Sequence, residues 1–281
     1  MGGDHAIERA ARVSYGKGTR KTSDTRNLIR YLVSHRHTSP LEQTVMTFHI
    51  AMPIVIMRQF VRHRTARLNE YSGRYSEMPQ IYYTAAKENC GFQSTSNKQG
   101  RSDNTLTDSQ YDEYIKDLTD IRLKDGEFYK KWLEKGLAKE LARTELPLSI
   151  YTYMYWQIDL HNLFHLLKLR LDPHAQYEIR EYARVLAGFA KLVAPVAFEA
   201  FEDYNLYAKS FSSAEIKLLQ RFLVSNANIL EFDYEKWGLS KREAEAFISK
   251  VSNREERTDF SLDLTKAREA AYYENLIMEN T

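Results

Sequence analysis

Residues 62–75 constrain the fold of this chain more than any other stretch. They read Arg-His-Arg-Thr-Ala-Arg-Leu-Asn-Glu-Tyr-Ser-Gly-Arg-Tyr, with four arginines in fourteen residues, and the apolar run 54–57 lies shortly before them. A protein core does not accommodate this density of charge. We therefore expect a rigid apolar element that ends in an anion site. There, arginine side chains would supply charge, and the Ser72-Gly73 pair would let backbone amides approach a phosphate. A solvated basic loop is the alternative.

The overall charge indicates a small anionic ligand rather than a polymer. The chain has 281 residues, 43% of them apolar, which is enough for one large domain or two small ones. Its 40 basic and 38 acidic residues leave a net charge of +2. Because a general polyanion binder carries a broad positive surface, we expect no nucleic-acid partner.

The single cysteine, Cys90, excludes a disulfide within the chain and fits a reducing compartment, so we expect a cytoplasmic protein. Cys90 lies in a polar stretch between Asn89 and Gly91. A nucleophilic thiol needs a positive, partly buried setting and a base, so we interpret Cys90 as inert. No apolar run approaches the roughly 18 residues of a membrane span, and we expect no membrane association.

The hydrophobic patterns predict an α/β protein of the α+β type, with a mostly antiparallel sheet flanked by helices. Alternation and β-branched or aromatic residues predict strands at 44–52 and 150–158, with a short strand at 80–83. Apolar residues at helical spacing and local capping signals predict helices at 4–15, 54–62, 106–135, 159–171, 174–193 and 195–207.

Two regions lie outside this pattern. Residues 84–107 are polar and lack an apolar period, which indicates a surface loop or insertion. Residues 208–281 are charged and helix-prone. We therefore predict a catalytic domain at 1–207 and a helical C-terminal extension of unknown role at 208–281.

Other polar residues offer weaker candidates. His161 and His165 are four residues apart on a predicted helix that Asp159 caps, and such a pair can bind a metal. No third strong ligand is near in sequence, so we expect no metal and favour histidines that line a planar aromatic cofactor. Arg143 and Arg170 stand on helices among apolar residues, where each is either a paired structural arginine or a ligand contact. Neither a P-loop nor a dinucleotide fingerprint is present.

The sequence resembles the flavin-dependent thymidylate synthases. Their hallmark, Arg-His-Arg followed after seven residues by Ser, matches Arg62-His63-Arg64 and Ser72. The likeness extends in order over about residues 5–205. It includes Ala10-Ala11-Arg12-Val13-Ser14, His37 with Ser39-Pro40-Leu41-Glu42, Thr47-Phe48-His49, Arg58-Gln59, Asn69-Glu70, Gly73-Arg74-Tyr75, Ala142-Arg143, Leu146-Pro147, Leu169-Arg170 and His174-Ala175-Gln176.

The resemblance implies synthesis of dTMP from dUMP by reductive methylation. Methylenetetrahydrofolate supplies the carbon, NADPH reduces a tightly bound FAD, and tetrahydrofolate is released. It also implies a homotetramer whose active sites are shared between subunits. A thiol-independent reaction agrees with an inert Cys90, and two phosphate-bearing ligands agree with local arginines in a nearly neutral chain.

The resemblance also assigns site residues by position. Those expected at dUMP are Gln59, Arg62, Glu70, Tyr71, Ser72, Gly73, Arg74, Arg143 and Arg170. Those expected at FAD are Ser14, His37, Ser39, Arg62, His63, Arg64, Asn69, Glu70, Asp159, His161, His165 and His174. Arg170 is the expected catalytic residue, since it would stabilise negative charge on the uracil ring. Ser72 is assigned to phosphate binding and not to attack, because a neutral serine without a base is a weak nucleophile.

The chain departs from the family at Asp159 and His161, where the family often has Asn and Arg, so the FAD contacts there differ. Two other functions remain open at this point. One is a non-catalytic flavoprotein homologue. The other is a nucleic-acid binding module that uses the basic stretch and the abundant tyrosines, which the near-neutral charge disfavours.

Overall fold

A computed structural model describes residues 2–15, 25–225, 241–252 and 258–262. The strands are β1 Val45–Pro53, β2 Arg67–Glu70, β3 Gly91–Gln93, β4 Arg101–Thr105 and β5 Tyr151–Asp159. The helices are α1 Asp4–Arg12, α2 Thr25–Ser34, α3 Ile54–Phe60, α4 Asp108–Glu134, α5 Lys139–Ala142, α6 Leu160–Arg170, α7 Tyr177–Val193, α8 Pro195–Phe201, α9 Ser213–Ser225 and α10 Lys241–Ser252.

The main sheet has the order β1-β5-β2, and both pairings are antiparallel. In its register, Trp156 of the central strand β5 lies opposite Phe48 of β1 on one side and opposite Leu68 of β2 on the other. The sequence patterns at 44–52 and 150–158 therefore predicted two of its strands, and the predicted class, an antiparallel sheet with helices, is confirmed.

The sheet packs on its helices through one face only. Along β5, side chains at alternate positions are buried, including Thr152, Met154 and Trp156, while Tyr155 on the other face is 57% exposed. Trp156 meets Phe60 of α3 edge to face, with ring centroids 5.4 Å apart. Since successive strand residues point to opposite faces, this alternation leaves a polar and aromatic face toward solvent.

Two helices begin directly where strands end. Pro53 closes β1 in an extended conformation, and α3 starts at the next residue. Asp159 ends β5 and caps α6, since its side chain accepts a hydrogen bond from the backbone N–H of Asn162 at 2.9 Å. These junctions carry α3 toward the Arg-His-Arg motif and α6 toward Arg170.

Several sequence-based boundaries are wrong. Residues 67–70 form strand β2, where no strand was predicted. At 80–83 the structure has only an isolated bridge between Tyr82 and Ile150. The helix expected from residue 174 begins at Tyr177. A short edge strand with charged side chains lacks the apolar alternation on which strand prediction depends.

Residues 84–107 were predicted to be a surface loop or an insertion. A loop without regular structure is wrong, because β3 and β4 form a two-stranded antiparallel sheet there, and the insertion stays a prediction. Polar turn contacts close this hairpin. The side chain of Asn97 accepts from the N–H of Gln99 at 3.2 Å, and the N–H of Gly100 donates to the carbonyl of Asn97 at 2.9 Å. A hairpin held by turn contacts gives no apolar signal in sequence.

The chain forms two compact units, Met1–Phe198 with Phe260–Thr281, and Glu199–Asp259. In the first unit, Phe260 packs edge to face on Phe198, with centroids 5.7 Å apart. The second unit has a small core around Leu218 and Phe247. The predicted end of the catalytic domain at residue 207 stays a prediction, because these compact units do not show which residues activity requires. Residues 226–240, 253–257 and 263–281 of the predicted extension lie outside the described residues.

None of the helices within the described ranges is both long and apolar enough to cross a membrane.

Candidate functional site

The motif after α3 and the end of α6 meet in one pair of side chains. The Nε of Arg170 donates a hydrogen bond to Nε2 of His63 at 3.1 Å. His63 is buried, with 9% of its surface exposed, and the ring of His165 lies edge-on to it with centroids 6.3 Å apart. Two parts of the chain that the sequence singled out separately are therefore in direct contact.

The surroundings of His63 keep it neutral. Burial, together with the nearby Arg170 and His165, lowers its pKa to about 4. Because Nε2 accepts the bond from Arg170, the neutral ring carries its proton on Nδ1 and offers a donor there. Burial also lowers the pKa of Arg170, whose guanidinium is still a cation at neutral pH.

A second contact joins the end of α3 to the residue that precedes α7. The side-chain amide of Gln59, near the end of α3, donates to Oε1 of Gln176 at 2.6 Å. We call Gln59, His63, His165, Arg170 and Gln176 the first cluster. Gln176 belongs to a family motif but was not among the predicted site residues. Its contact partner lies 117 residues away along the chain, so local patterns could not identify it.

The two other basic residues of the motif are exposed. Arg62 and Arg64 both lie at the surface, and neither has an ion-pair partner among the residues that the structure describes. Uncompensated guanidinium groups beside a buried site are suited to phosphate, which they can bind with two parallel hydrogen bonds.

Residues 72–74 belong to a different set of contacts. The hydroxyl of Ser72 accepts from the N–H of Arg74 at 3.3 Å, and the Nε of Arg74 lies 3.3 Å from Oε2 of Glu140. Gly73 is buried against Met78 and Arg143, and a Cβ there would come within 2.7 Å of the Met78 sulfur and 3.1 Å of the Arg143 Cδ. We call Ser72, Gly73, Arg74, Glu140 and Arg143 the second cluster.

Strand β2 separates the two clusters. Glu70, its last residue, accepts a hydrogen bond at Oε1 from the buried Thr152 hydroxyl at 2.8 Å. The N–H of Tyr71 then donates to the carbonyl of Tyr153 at 2.8 Å. Across the described residues, the hydrogen bonds, ion pairs and ring contacts of the two clusters have no residue in common. The fourteen-residue stretch thus takes part in two separate sets of contacts on one chain.

A cavity of about 940 Å³ opens beside the second cluster. Glu70, Tyr71 and Met78 line one side, and the open face of the sheet lines the other through His49, Tyr153 and Tyr155. The rings of His49 and Tyr155 are stacked with centroids 4.8 Å apart. These three residues were not among the predicted site residues, although the alternation along both strands was the signal that they share a face.

The remaining residues expected at FAD are more dispersed. Asn69 lies on β2, His161 lies on α6, and Asp159 is occupied in capping that helix. Four further residues expected at FAD lie apart from the first cluster. In the part of the chain that the structure describes, no hydrogen bond or ion pair joins that cluster to Ser14, His37, Ser39 or His174. His174 instead pairs its Nδ1 with Asp172 at 2.9 Å.

Cys90 has no setting for nucleophilic attack. Burial is the largest cause of a raised pKa for its thiol, and the sulfur lies 3.7 Å from the carbonyl of Ala85. A protonated thiol is a poor nucleophile. Within the described ranges, no group of three or more His, Cys, Asp or Glu side chains could hold a metal ion.

Comparison with known proteins connects these features. The family described as thymidylate synthase complementing protein matches residues 1–196. A flavin-dependent thymidylate synthase from Treponema denticola is 44% identical over 253 residues, which cover 90% of this chain and 92% of that protein. The enzyme of the same name from Dictyostelium discoideum is 47% identical over 217 residues, covering 77% and 71%.

A solved structure is also similar. It is a UMP/dUMP methylase, PolB, from Streptomyces cacaoi bound with 5-Br UMP, and it is 31% identical with a TM-score of 0.65. The likeness covers 73% of this chain and 92% of that one. The motif, the fold and these relatives agree, and the chain belongs to the family of flavin-dependent thymidylate synthases.

Proposed function

We propose that this protein is an FAD-dependent thymidylate synthase that converts dUMP to dTMP by reductive methylation. Methylenetetrahydrofolate would supply the carbon, NADPH would supply the reducing equivalents, and tetrahydrofolate would be released. The observation that carries the proposal is the pairing of Arg170 with a neutral, buried His63 beside two uncompensated arginines. Such a site combines a charge-directed donor with phosphate-binding groups.

We assign dUMP to residues of both clusters and to Arg62, Glu70 and Tyr71, which lie next to them in sequence. Gln59, Arg62 and Arg170 would contribute from one side, and Glu70, Tyr71, Ser72, Gly73, Arg74 and Arg143 from the other. Arg170 would stabilise the negative charge that develops on the uracil ring, and this raises the nucleophilicity of C5 without a thiol. Ser72 and Gly73 would contact the phosphate through the Ser72 hydroxyl and backbone amides, with the charge of Arg143, which packs against Gly73, beside them.

The residues present also fit a flavin dinucleotide. Arg62 and Arg64 would hold its diphosphate, because both guanidinium groups lack a carboxylate partner among the described residues. Nδ1–H of His63 would donate to the cofactor, and His37 or a tyrosine of the open sheet face would stack on a planar ring. Reduced flavin, when bound, supplies the hydride that completes the methyl group.

The other residues proposed at FAD follow from family position rather than from a shared contact: Ser14, Ser39, Asn69, Glu70, Asp159, His161, His165 and His174. Asp159 would contribute its backbone or its free oxygen lone pairs, since its carboxylate already accepts two hydrogen bonds from Asn162.

We further propose a homotetramer in which each active site takes the first cluster from one subunit and the second cluster from another. Two half-sites that share no contact on one chain support this arrangement. The open sheet face, with the exposed Tyr155 and the stacked His49, supports a contact with a second copy. A cytoplasmic location stays a prediction that rests on the single cysteine.

Flavin binding is the most direct test of this proposal. We expect purified protein to be yellow, or to become yellow with FAD, and the colour to bleach when NADPH is added under nitrogen. A folded protein that remains colourless with excess FAD would contradict the proposal. A protein that bleaches but forms no dTMP would instead be a non-catalytic flavoprotein.

A further inference from the structure

A second cavity lies beside the first cluster, and of its lining residues the proposed function uses only His174. It has a volume of about 890 Å³ and lies between the β3–β4 hairpin and residues 173–180. Gln176 is part of its wall and is also the partner of Gln59 in the first cluster. The cavity therefore adjoins the proposed active site.

One charge in this cavity is not compensated. The guanidinium of Arg180 donates from one terminal nitrogen to the carbonyl of Pro173 at 3.3 Å, and it lies 5.9 Å from the ring centroid of Tyr177. Its Nε is buried and has no hydrogen-bond partner. Glu88 and Asp103 also line the cavity, but among the described residues no ion pair joins a carboxylate to Arg180.

The guanidinium of Arg101, in contrast, uses both of its terminal nitrogens in hydrogen bonds within the protein. Arg101 of β4 forms an ion pair with Glu178 at 2.6 Å, and the Tyr83 hydroxyl donates to the same carboxylate at 2.6 Å. Burial alone would raise the pKa of Glu178, but the hydrogen bonds from Arg101 and Tyr83 lower it. Arg101 thus fixes the hairpin to the start of α7, and Glu178 is not free to neutralise Arg180.

The buried Nε is closed to a ligand, but the second terminal nitrogen of Arg180 has no hydrogen-bond partner among the described residues and remains available to an anion. The volume is within the range of small-molecule sites, and the polar lining suits a hydrophilic extension rather than a ring system. His174, Tyr177 and Tyr114 supply further polar groups along the wall.

We propose that this cavity binds an anionic group of a co-substrate, with Arg180 as its anchor. The inference rests on the proposed function, since both proposed co-substrates carry such a group. One is the chain of glutamate carboxylates on the folate, and the other is the ribose phosphate of NADPH. The shared chemistry is a carboxylate or phosphate that accepts from a guanidinium.

Equilibrium binding to the flavin-loaded protein distinguishes the two sources without requiring turnover. Dissociation constants are measured for tetrahydrofolate with one and with five glutamates, and for NADP⁺ against NAD⁺. Arg180→Ala is compared with wild type and with Arg184→Ala, which removes an exposed arginine paired with Glu181 one turn further along α7. Arg180→Lys keeps the charge but loses the planar fork.

We expect Arg180→Ala to raise the dissociation constant of one probe about tenfold. The dissociation constants of Arg184→Ala should equal those of wild type, and those of Arg180→Lys should lie between wild type and Arg180→Ala. Loss confined to the pentaglutamate assigns the cavity to the folate chain, and loss confined to NADP⁺ assigns it to the phosphate. Unchanged binding of all four probes in a folded, flavin-loaded Arg180→Ala protein would overturn the proposal. Formation of dTMP by the wild type is scored separately and reports on the proposed function alone.

Discussion

Arg170 and His63 are 107 residues apart in sequence, and a hydrogen bond of 3.1 Å joins them at the centre of the proposed site. The bond uses only the Nε of the arginine. Among the described residues, no hydrogen bond or ion pair uses its two terminal nitrogens, so these remain for a ligand. The pair therefore fixes the guanidinium in place while it leaves most of its donors available.

The first prediction concerns the pH dependence of folding stability. The pKa of His63 is about 4 in the folded protein and 6.5 in an unfolded chain. As pH falls from about 6.5 toward 4, the unfolded chain gains a proton that the folded protein does not, and the free energy of unfolding decreases. We expect His63 to contribute about 2 kcal/mol to this decrease, because partial access to water screens the full shift.

Chemical denaturation at several pH values checks this prediction against His63→Gln, which keeps an acceptor for Arg170 but does not titrate. The variant should lose less stability than wild type between pH 7 and pH 4. If the free energy of unfolding falls by the same amount in both proteins between pH 7 and pH 4, the pKa of His63 is not lowered by folding.

The second prediction concerns the role of Arg170. Arg170→Ala should still bind FAD and oxidise NADPH, because the charge that it stabilises develops only on the nucleotide. Its rate of dTMP formation should fall by about 10²- to 10³-fold, the effect of one charge-directed donor. Stopped-flow absorbance of the flavin and a product assay separate the two steps.

Lys168→Ala removes a positive charge from the same helix, two residues before Arg170, and serves as the matched control. It should retain near-normal synthesis. Full synthase activity in Arg170→Ala would remove this residue from its catalytic role.

The third prediction concerns the division of the site between subunits. Arg170→Ala removes a residue of the first cluster, and Arg143→Ala removes one of the second. Each protein should be nearly inactive alone. Co-expression should restore about a quarter of wild-type activity, because random assortment pairs intact half-sites at about that frequency in a symmetric assembly.

Arg170→Ala co-expressed with Arg62→Ala is the control, since both changes affect residues assigned to one half-site. This pair should not recover. Equal recovery in both mixtures, or none in either, would contradict a site shared across subunits.

The fourth prediction uses two glycines that are required for different reasons. Gly73→Ala brings a Cβ within 2.7 Å of the Met78 sulfur, so it should shift residues 72–74 and raise the KM for dUMP with little loss of stability. Gly136 has open space around it but a φ of +79° at the end of α4. Gly136→Ala should therefore cost about 1 kcal/mol of stability and leave the KM unchanged. The reverse pattern would show that Gly73 has only a structural role.

Local sequence patterns predicted the parts of the fold that local physics determines. The β-branched and aromatic alternation of β1 and β5, the apolar stripe of α6 and its cap at Asp159 all agree with the structure. Strand β2 was missed because its side chains are charged and it is stabilised by pairing with β5, which begins 84 residues after Arg67. Such pairing leaves no periodic signal.

The sequence motif indicated which residues belong to the candidate site, but it did not indicate how their side chains contact one another. Residue types at 62–75 indicated anion binding, and the resemblance supplied roles. Neither could indicate that His63 is a buried neutral acceptor or that Arg180 lies unpaired in a cavity, because burial and contact depend on residues far apart in sequence. The pairing of Arg101 with Glu178 across 77 residues illustrates the same limit.

The proposal that this protein makes dTMP with the help of FAD is tested most directly by a product assay on flavin-loaded protein. Mass spectrometry should detect dTMP when dUMP, methylenetetrahydrofolate and NADPH are all supplied, and its formation should stop when FAD is removed and resume when it is restored. The absence of dTMP from folded protein whose flavin is fully reduced by NADPH would contradict the claim, as would synthesis that continues without flavin.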